Sequence, residues 1–277
     1  MARQRRHVSR RRRRGRFRGL YRVLSVLAVA VALVVACVVF FRVNEVTVSG
    51  NQRYTAQQIV EASGIKLGDN LITLSKSRVA GNLIAKLPYV RSITIDRKLP
   101  DGLLITVEEH VAAAAVSDGE SWWYVAAQGK LLERVDDPGT VMRVTGLTAA
   151  DPMVSDDIQV EQDEENTLSY VLALLTELEA RGMLGQCTAL DCTAAASITL
   201  DYDIYHVKLP RRSDYSQYLA LFQGALTSDR MPQGVPGTFD LTVQDGRAYF
   251  QPEDEEPIAS QPQPDPEPDP SASQAAQ

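Results

Sequence analysis

Nineteen consecutive residues, Val23 to Phe41, carry no charge and almost no polarity. As a helix rising about 1.5 Å per residue they reach roughly 28 Å, the thickness of a hydrocarbon core. This stretch constrains the chain more than any other, because it divides two compositions. Residues 1–22 hold 11 arginines and no acid, which leaves 18 Lys and Arg against all 35 Asp and Glu in the remainder. Positive residues beside a span stay on the cytoplasmic side, so the pattern predicts a single-pass type II protein whose long C-terminal part faces outward.

Other readings of the run fit less well. A cleaved signal peptide needs a shorter apolar core and an A-x-A-like site, which neither Ala36-Cys37-Val38 nor Phe41-Arg42-Val43 supplies. Val34-Val35-Ala36-Cys37 loosely matches a lipoprotein box, yet Cys37 is followed by Val38, Val39, Phe40 and Phe41, as in a continuing span. The Arg10–Arg14 run would suit nucleic acid. Next to a span, however, its simplest use is holding orientation and touching anionic lipid, and no nucleic-acid partner is expected.

Beyond the span the pattern breaks into short elements. Val46 and Val48 alternate ahead of a Gly50-Asn51 turn, predicting a strand. Thr55-Ala56-Gln57-Gln58 is a capping-box pattern, with Ile59 and Ala62 at helical spacing and Gly64 placed as a left-handed C-cap. Ser75 or Ser77 caps a second helix with Val79, Leu83, Ile84 and Leu87 on one face, and Pro88 ends it. Ile93 and Ile95, then Leu103, Ile105 and Val107, alternate on either side of an Asp101-Gly102 turn. Strand, helix, helix, strand, strand makes a compact α+β module.

This order beside a signal anchor, with Val46-Thr47-Val48-Ser49-Gly50-Asn51, Gly68-Asp69-Asn70-Leu71, Leu87-Pro88-Tyr89-Val90, Asp96-Arg97-Lys98-Leu99-Pro100 and Ile105-Thr106-Val107-Glu108-Glu109, resembles the POTRA domain of the bacterial cell-division family FtsQ, called DivIB in many Gram-positive bacteria. The departure is Glu109-His110-Val111-Ala112, where the family has Glu, a basic residue, a variable residue and Pro. The division expected is a cytoplasmic Arg-rich tail (1–22), a transmembrane helix (23–41), a POTRA domain (43–110), a mixed α/β domain with a mainly antiparallel sheet (111–250) and a disordered acidic Pro-rich tail (251–277). The tail's alternating Pro, Gln, Asp and Glu bury too little apolar surface to fold.

Within 111–250, Trp122-Trp123-Tyr124-Val125 and Lys130-Leu131-Leu132 flank a Gly129 turn; one tryptophan is expected inward and the other outward. Met142 to Thr145 is a short strand, and the acid-rich stretch to Asn166 reads as a solvated loop without the ligand order of a calcium site. Thr167 is expected to cap a helix reaching Arg181, with Leu168, Leu172, Leu175 and Leu178 along one side. Strands follow near 188–191, 198–201 and 205–209. A helix opens at Ser213 or Asp214, and Thr238-Phe239-Asp240-Leu241-Thr242-Val243 and Ala248-Tyr249-Phe250 close the domain. Cys187 and Cys192 lie in an oxidising exterior that permits a bridge without requiring one.

The external part holds only His110 and His206 as histidines, with no hydrolase, zinc-protease or phosphate-loop motif, so neither catalysis nor a metal or cofactor is expected. Function then lies in surfaces, and a sheet's last strand offers unpaired backbone groups to an added strand. The resemblance implies capture there of the extracellular part of FtsB or DivIC, paired with FtsL, and places the partner edge on Phe239, Asp240, Leu241, Val243, Tyr249 and Phe250. It implies a bitopic scaffold at the division septum that helps regulate septal peptidoglycan synthesis, with the septal synthase as a further contact. The alternatives are a membrane-anchored wall enzyme and a POTRA-type translocation component.

Overall fold

The computed structural model describes residues 16–161, 163, 166–228, 234–243 and 246–253. Most of the arginine tail, most of the acidic tail, Glu164, Glu165 and the Asp245 turn position therefore lie outside the described residues. The chain divides into two compact units, Met1–Val111 and Ala112–Gln277.

The first unit begins with α1 (Arg16–Phe40). Within its stretch Gly19–Phe40 an 18-residue window has a mean hydropathy of 3.2 and none of that window is buried by protein, as befits a helix long and apolar enough to cross a membrane. Then come β1 (Glu45–Ser49), α2 (Ala56–Ser63), α3 (Lys76–Lys86), β2 (Val90–Lys98) and β3 (Gly102–Glu109), the predicted order. The sheet order is β1-β3-β2, with β1 parallel and β2 antiparallel to the central strand. The local signals work as read: Thr55 Oγ1 accepts from Gln58 N at 3.2 Å, Gln58 Oε1 accepts from Thr55 N at 2.9 Å, and Gly64 takes φ 74°. Ser75, rather than Ser77, caps α3. Val43, Ile59, Leu71, Leu83, Leu103, Ile105 and Val107 fill the core. Ile84 is the exception on the predicted face: it is 43% exposed, and Ala80 packs against the core instead. Gly50 turns the chain where a Cβ would run into the Val107 carbonyl oxygen.

Glu109 anchors the end of β3. Its carboxylate accepts the backbone N–H groups of Gln52 (3.1 Å), Arg53 (2.6 Å) and Tyr54 (3.3 Å), which fastens the end of β3 to the β1–α2 turn.

Among the described residues the second unit is a nine-stranded sheet with two α-helices. Its elements are β4 (Ala112–Ser117), β5 (Trp122–Ala126), β6 (Leu131–Val135), β7 (Arg143–Thr148), α4 (Thr167–Ala180), β8 (Cys187–Asp191), β9 (Ser197–Tyr202), β10 (Tyr205–Pro210), α5 (Ser216–Leu226), β11 (Gly237–Asp240) and β12 (Tyr249–Pro252). The order across the sheet is β12-β11-β10-β9-β8-β7-β4-β5-β6. Five strand pairings are antiparallel and three are parallel, at β4–β7, β7–β8 and β10–β11.

Several sequence expectations change here. β4 has no alternation to read, because Ala113 to Val116 are all buried and the strand lies inside the sheet between β5 and β7. α4 is not capped by Thr167. Asn166 sits at the N-cap without a side-chain bond, and the Asp163 carboxylate accepts the N–H groups of Thr167 (2.5 Å) and Leu168 (3.3 Å). The helix buries Val171, Leu174, Leu175 and Leu178, so the inner face is turned from the predicted one, and Leu168 and Leu172 are only half-buried. The acid-rich stretch is stitched to the sheet: Asp157 bridges Lys130, and Val160 bridges Ala149. Tyr215, rather than Ser213 or Asp214, stands at the N-cap of α5, while Asp214 just before it accepts Ser216 N at 2.9 Å. Trp123 is inward, 7% exposed, while Trp122 is half-buried rather than outward. Cys187 and Cys192 are both buried as free thiols.

Candidate partner-binding edge

A sheet has two edges, and the second unit treats them differently. At β6 the neighbouring chain supplies partners: Leu131 N donates to Asp156 O (2.8 Å), Ser155 N to Leu131 O (2.9 Å) and Ile158 N to Gly129 O (2.8 Å). At the other end, no strand lies outside β12 among the described residues.

The register identifies which groups β12 presents. Thr238 pairs with Gln251 and Phe239 with Phe250, and the ladder continues in a 3.0 Å bond from Glu253 N to Pro236 O. Antiparallel partners alternate between bonded and non-bonded pairs, so Tyr249, Gln251 and Glu253 turn their backbone groups toward β11. The N–H and C=O of Phe250 therefore point away from the sheet. Pro252 shares that parity and has no N–H to offer, which limits the outward donors of this four-residue strand.

This placement corrects part of the predicted site. Phe239 and Asp240 belong to β11, which is paired on both sides and offers no free edge. Phe239 is 1% exposed and stacks edge-on with Phe222 (5.1 Å) and Tyr205 (5.4 Å). Leu241 is equally buried, its N–H donated to Lys208 O at 2.9 Å. Asp240 accepts from Thr242 Oγ1 (2.6 Å) and N (2.8 Å), and these bonds hold its carboxyl below the usual range. Val243 lies past the strand and is 45% exposed. Only Tyr249 and Phe250 stand on the edge itself. Phe250 leans inward on Phe239, centroids 4.9 Å apart, while Tyr249 stays 42% exposed.

Sequence reasoning missed what surrounds this edge. A depression of about 170 Å³ is lined by Arg212, Tyr218, Leu221, Leu241, Val243 and Arg247. It sets Leu221, Leu241 and Val243 beside Gln217 and two cations from segments 35 residues apart. No local pattern in the sequence announces it.

The two units can now be compared with known proteins. The sequence model of the family described as "POTRA domain, FtsQ-type" matches residues 41–110, so the first unit contains a POTRA domain of that class. Among curated relatives, the chain is 24% identical over 137 residues to cell division protein DivIB of Clostridium acetobutylicum, covering 49% of this chain and 55% of that protein. It is 28% identical over 159 residues to cell division protein FtsQ of Corynebacterium glutamicum, covering 57% and 65%. To cell division protein FtsQ of Streptomyces coelicolor it is 31% identical over 113 residues, covering 38% and 43%. Each match thus spans less than two thirds of the relative. The chain is a relative of the FtsQ and DivIB cell division proteins.

Proposed function

We propose that this protein is a non-catalytic, bitopic scaffold of the division machinery. Residues 23–41 hold it in the cell membrane with its N-terminus cytoplasmic and both folded units outside, at the septum. There the free edge of β12 takes up an extended segment of an FtsB or DivIC homologue, itself paired with an FtsL homologue, and so helps regulate the septal peptidoglycan synthase. The observation that carries this reading is the outward Phe250 amide and carbonyl on a strand with no neighbour beyond it among the described residues. The depression with Arg212 and Arg247 supplies a place for acidic side chains of the added segment.

The test is binding of residues 42–253 to the external segment of the FtsB or DivIC homologue, comparing Phe250→Pro with Phe250→Leu. Leucine keeps the amide and most of the apolar contact. Proline removes the outward donor and obstructs pairing, and should weaken binding about fivefold or more, since one backbone bond alone contributes about 1 kcal/mol. Equal loss in both variants would assign binding to the side chain. No loss in either would move the partner surface elsewhere.

A further inference from the structure

Three large apolar side chains on loops of the POTRA domain lie outside its core: Leu67, Ile72 and Leu99 are 74%, 52% and 63% exposed. They belong to two loops, residues 64–75 and 99–101, and both loops are hydrogen-bonded to the residues where α1 gives way to the domain. Leu71 N donates to Phe41 O (2.9 Å), Val43 N to Asp69 O (2.8 Å), Gly68 N to Val43 O (2.8 Å) and Asn44 N to Asp101 O (2.9 Å). Asn70 Nδ2 reaches back to Val38 O, inside the last turn of the helix, at 3.2 Å. Arg97, near the end of β2, ties that strand to the 64–75 loop, its Nη2 donating to Leu74 O at 2.8 Å and Ile72 O at 3.4 Å. Between the helix and the 99–101 turn runs a cleft of about 600 Å³, lined by Leu33, Cys37, Phe40, Phe41, Pro100 and Asp101.

We infer that these two loops form a lipid-docking surface, seated in the interfacial layer of the bilayer on the outer side, with Leu67, Ile72 and Leu99 at the boundary between headgroups and acyl chains. The inference rests on α1 spanning the membrane and adds to it. A span that ends at Phe41 puts that residue at the interface, and loops bonded directly to Phe41, Val43 and Asn44 share its depth. Continuity with the span names lipid as the occupant, since the cleft is walled by the span's own residues. Charge does not drive it. The same segments carry both signs, with Arg42, Lys66 and Lys98 exposed alongside Asp69 and Asp96 in the sequence, and Asp96 lies 3.7 Å from Lys76. Apolar burial is the driving term, and salt should leave the docking in place.

The full chain in phosphatidylcholine–phosphatidylglycerol nanodiscs provides the test. In a Cys37→Ala background, Leu67→Cys, Ile72→Cys and Leu99→Cys are each labelled with an environment-sensitive maleimide fluorophore. Cys187 and Cys192 are 2% and 3% exposed. Burial pushes both thiols up to about 12, so they stay protonated and unlabelled at neutral pH. Leu33→Cys reports on the span itself, and Gln52→Cys lies past the far end of β1, roughly 20 Å along an extended strand from Asn44. Lipids spin-labelled near the headgroup should extinguish emission at positions 67, 72 and 99, in low and high salt alike, and leave position 52 bright. If position 33 is quenched by lipids spin-labelled deep in the acyl chain while 67, 72 and 99 behave like 52 with the headgroup label, the docking surface is refuted and the anchor stands. If position 33 is unquenched as well, the spanning reading fails and takes this inference with it.

Discussion

At the residue scale, a few side chains fix geometry that hydrophobic pattern alone leaves loose. Asp118 closes the turn between β4 and β5. Its carboxylate accepts from Ser121 N (2.7 Å), Trp123 Nε1 (2.8 Å) and Glu120 N (2.9 Å), and these bonds, that from Ser121 first, hold it well below the usual carboxylate range. A carboxyl depressed in the folded state stabilises it fully above the unfolded pKa of about 3.9, and that contribution drains away as pH falls through the lower folded value. Asp118→Asn should therefore lower the urea midpoint at pH 7, with the gap to wild type narrowing at pH 3. A gap of the same size at both pH values would mean that the charge contributes nothing. Arg211 has a comparable role, donating to Cys192 O (2.9 Å), Ala194 O (2.8 Å) and Thr167 Oγ1 (3.0 Å), and thereby joining the segments after β8 and β10 to the start of α4.

At the scale of elements, the β11–β12 pair is short and depends on a close approach. A Cβ at Gly237 would lie 2.5 Å from Gln251 O and 2.7 Å from the Phe250 ring. The backbone oxygen can yield only if β12 moves, so Gly237→Ala should destabilise the unit by about 1–3 kcal/mol. It should also raise amide exchange at Tyr249, Gln251 and Glu253 before other strands respond. Protection unchanged at those amides would show that β12 adjusts without loosening. The same pair bears on the proposed function, because a strand that detaches cannot template another. The aromatic cluster of Tyr202, Tyr205, Phe222, Phe239 and Phe250 opposes that detachment by packing the edge against α5.

At the scale of the whole molecule, each unit has its own core and its own sheet. Cooperative unfolding follows shared cores, so damage in one should stay there. Leu83→Ala removes a fully buried side chain from the POTRA core and should cost that unit about 2–5 kcal/mol. In residues 42–253, calorimetry should show one transition shifted down and the other unmoved. Two transitions that fall together would reveal coupling between the units. Independent folding would support the proposed scaffold reading.

Much of the first unit is legible locally. The span declares itself by nineteen uncharged residues, α2 by Thr55 and Gln58, and β2 and β3 by alternation between a buried face and an open one. These signals are written among neighbours in the chain, so the sequence by itself determined them. The second unit is less legible at the points that matter for binding. β4 is a run of alanines that become a strand only because neighbours pair on both sides, and Asp163 caps α4 from a stretch that reads as loop. Above all, the tertiary structure decided which strand is the edge: β11 has the stronger local pattern, yet β12 pairs beyond it and takes the exposed position. Strand order follows from which distant segments close on one another and bury their faces, and nothing in the spacing of residues along a single strand encodes that choice.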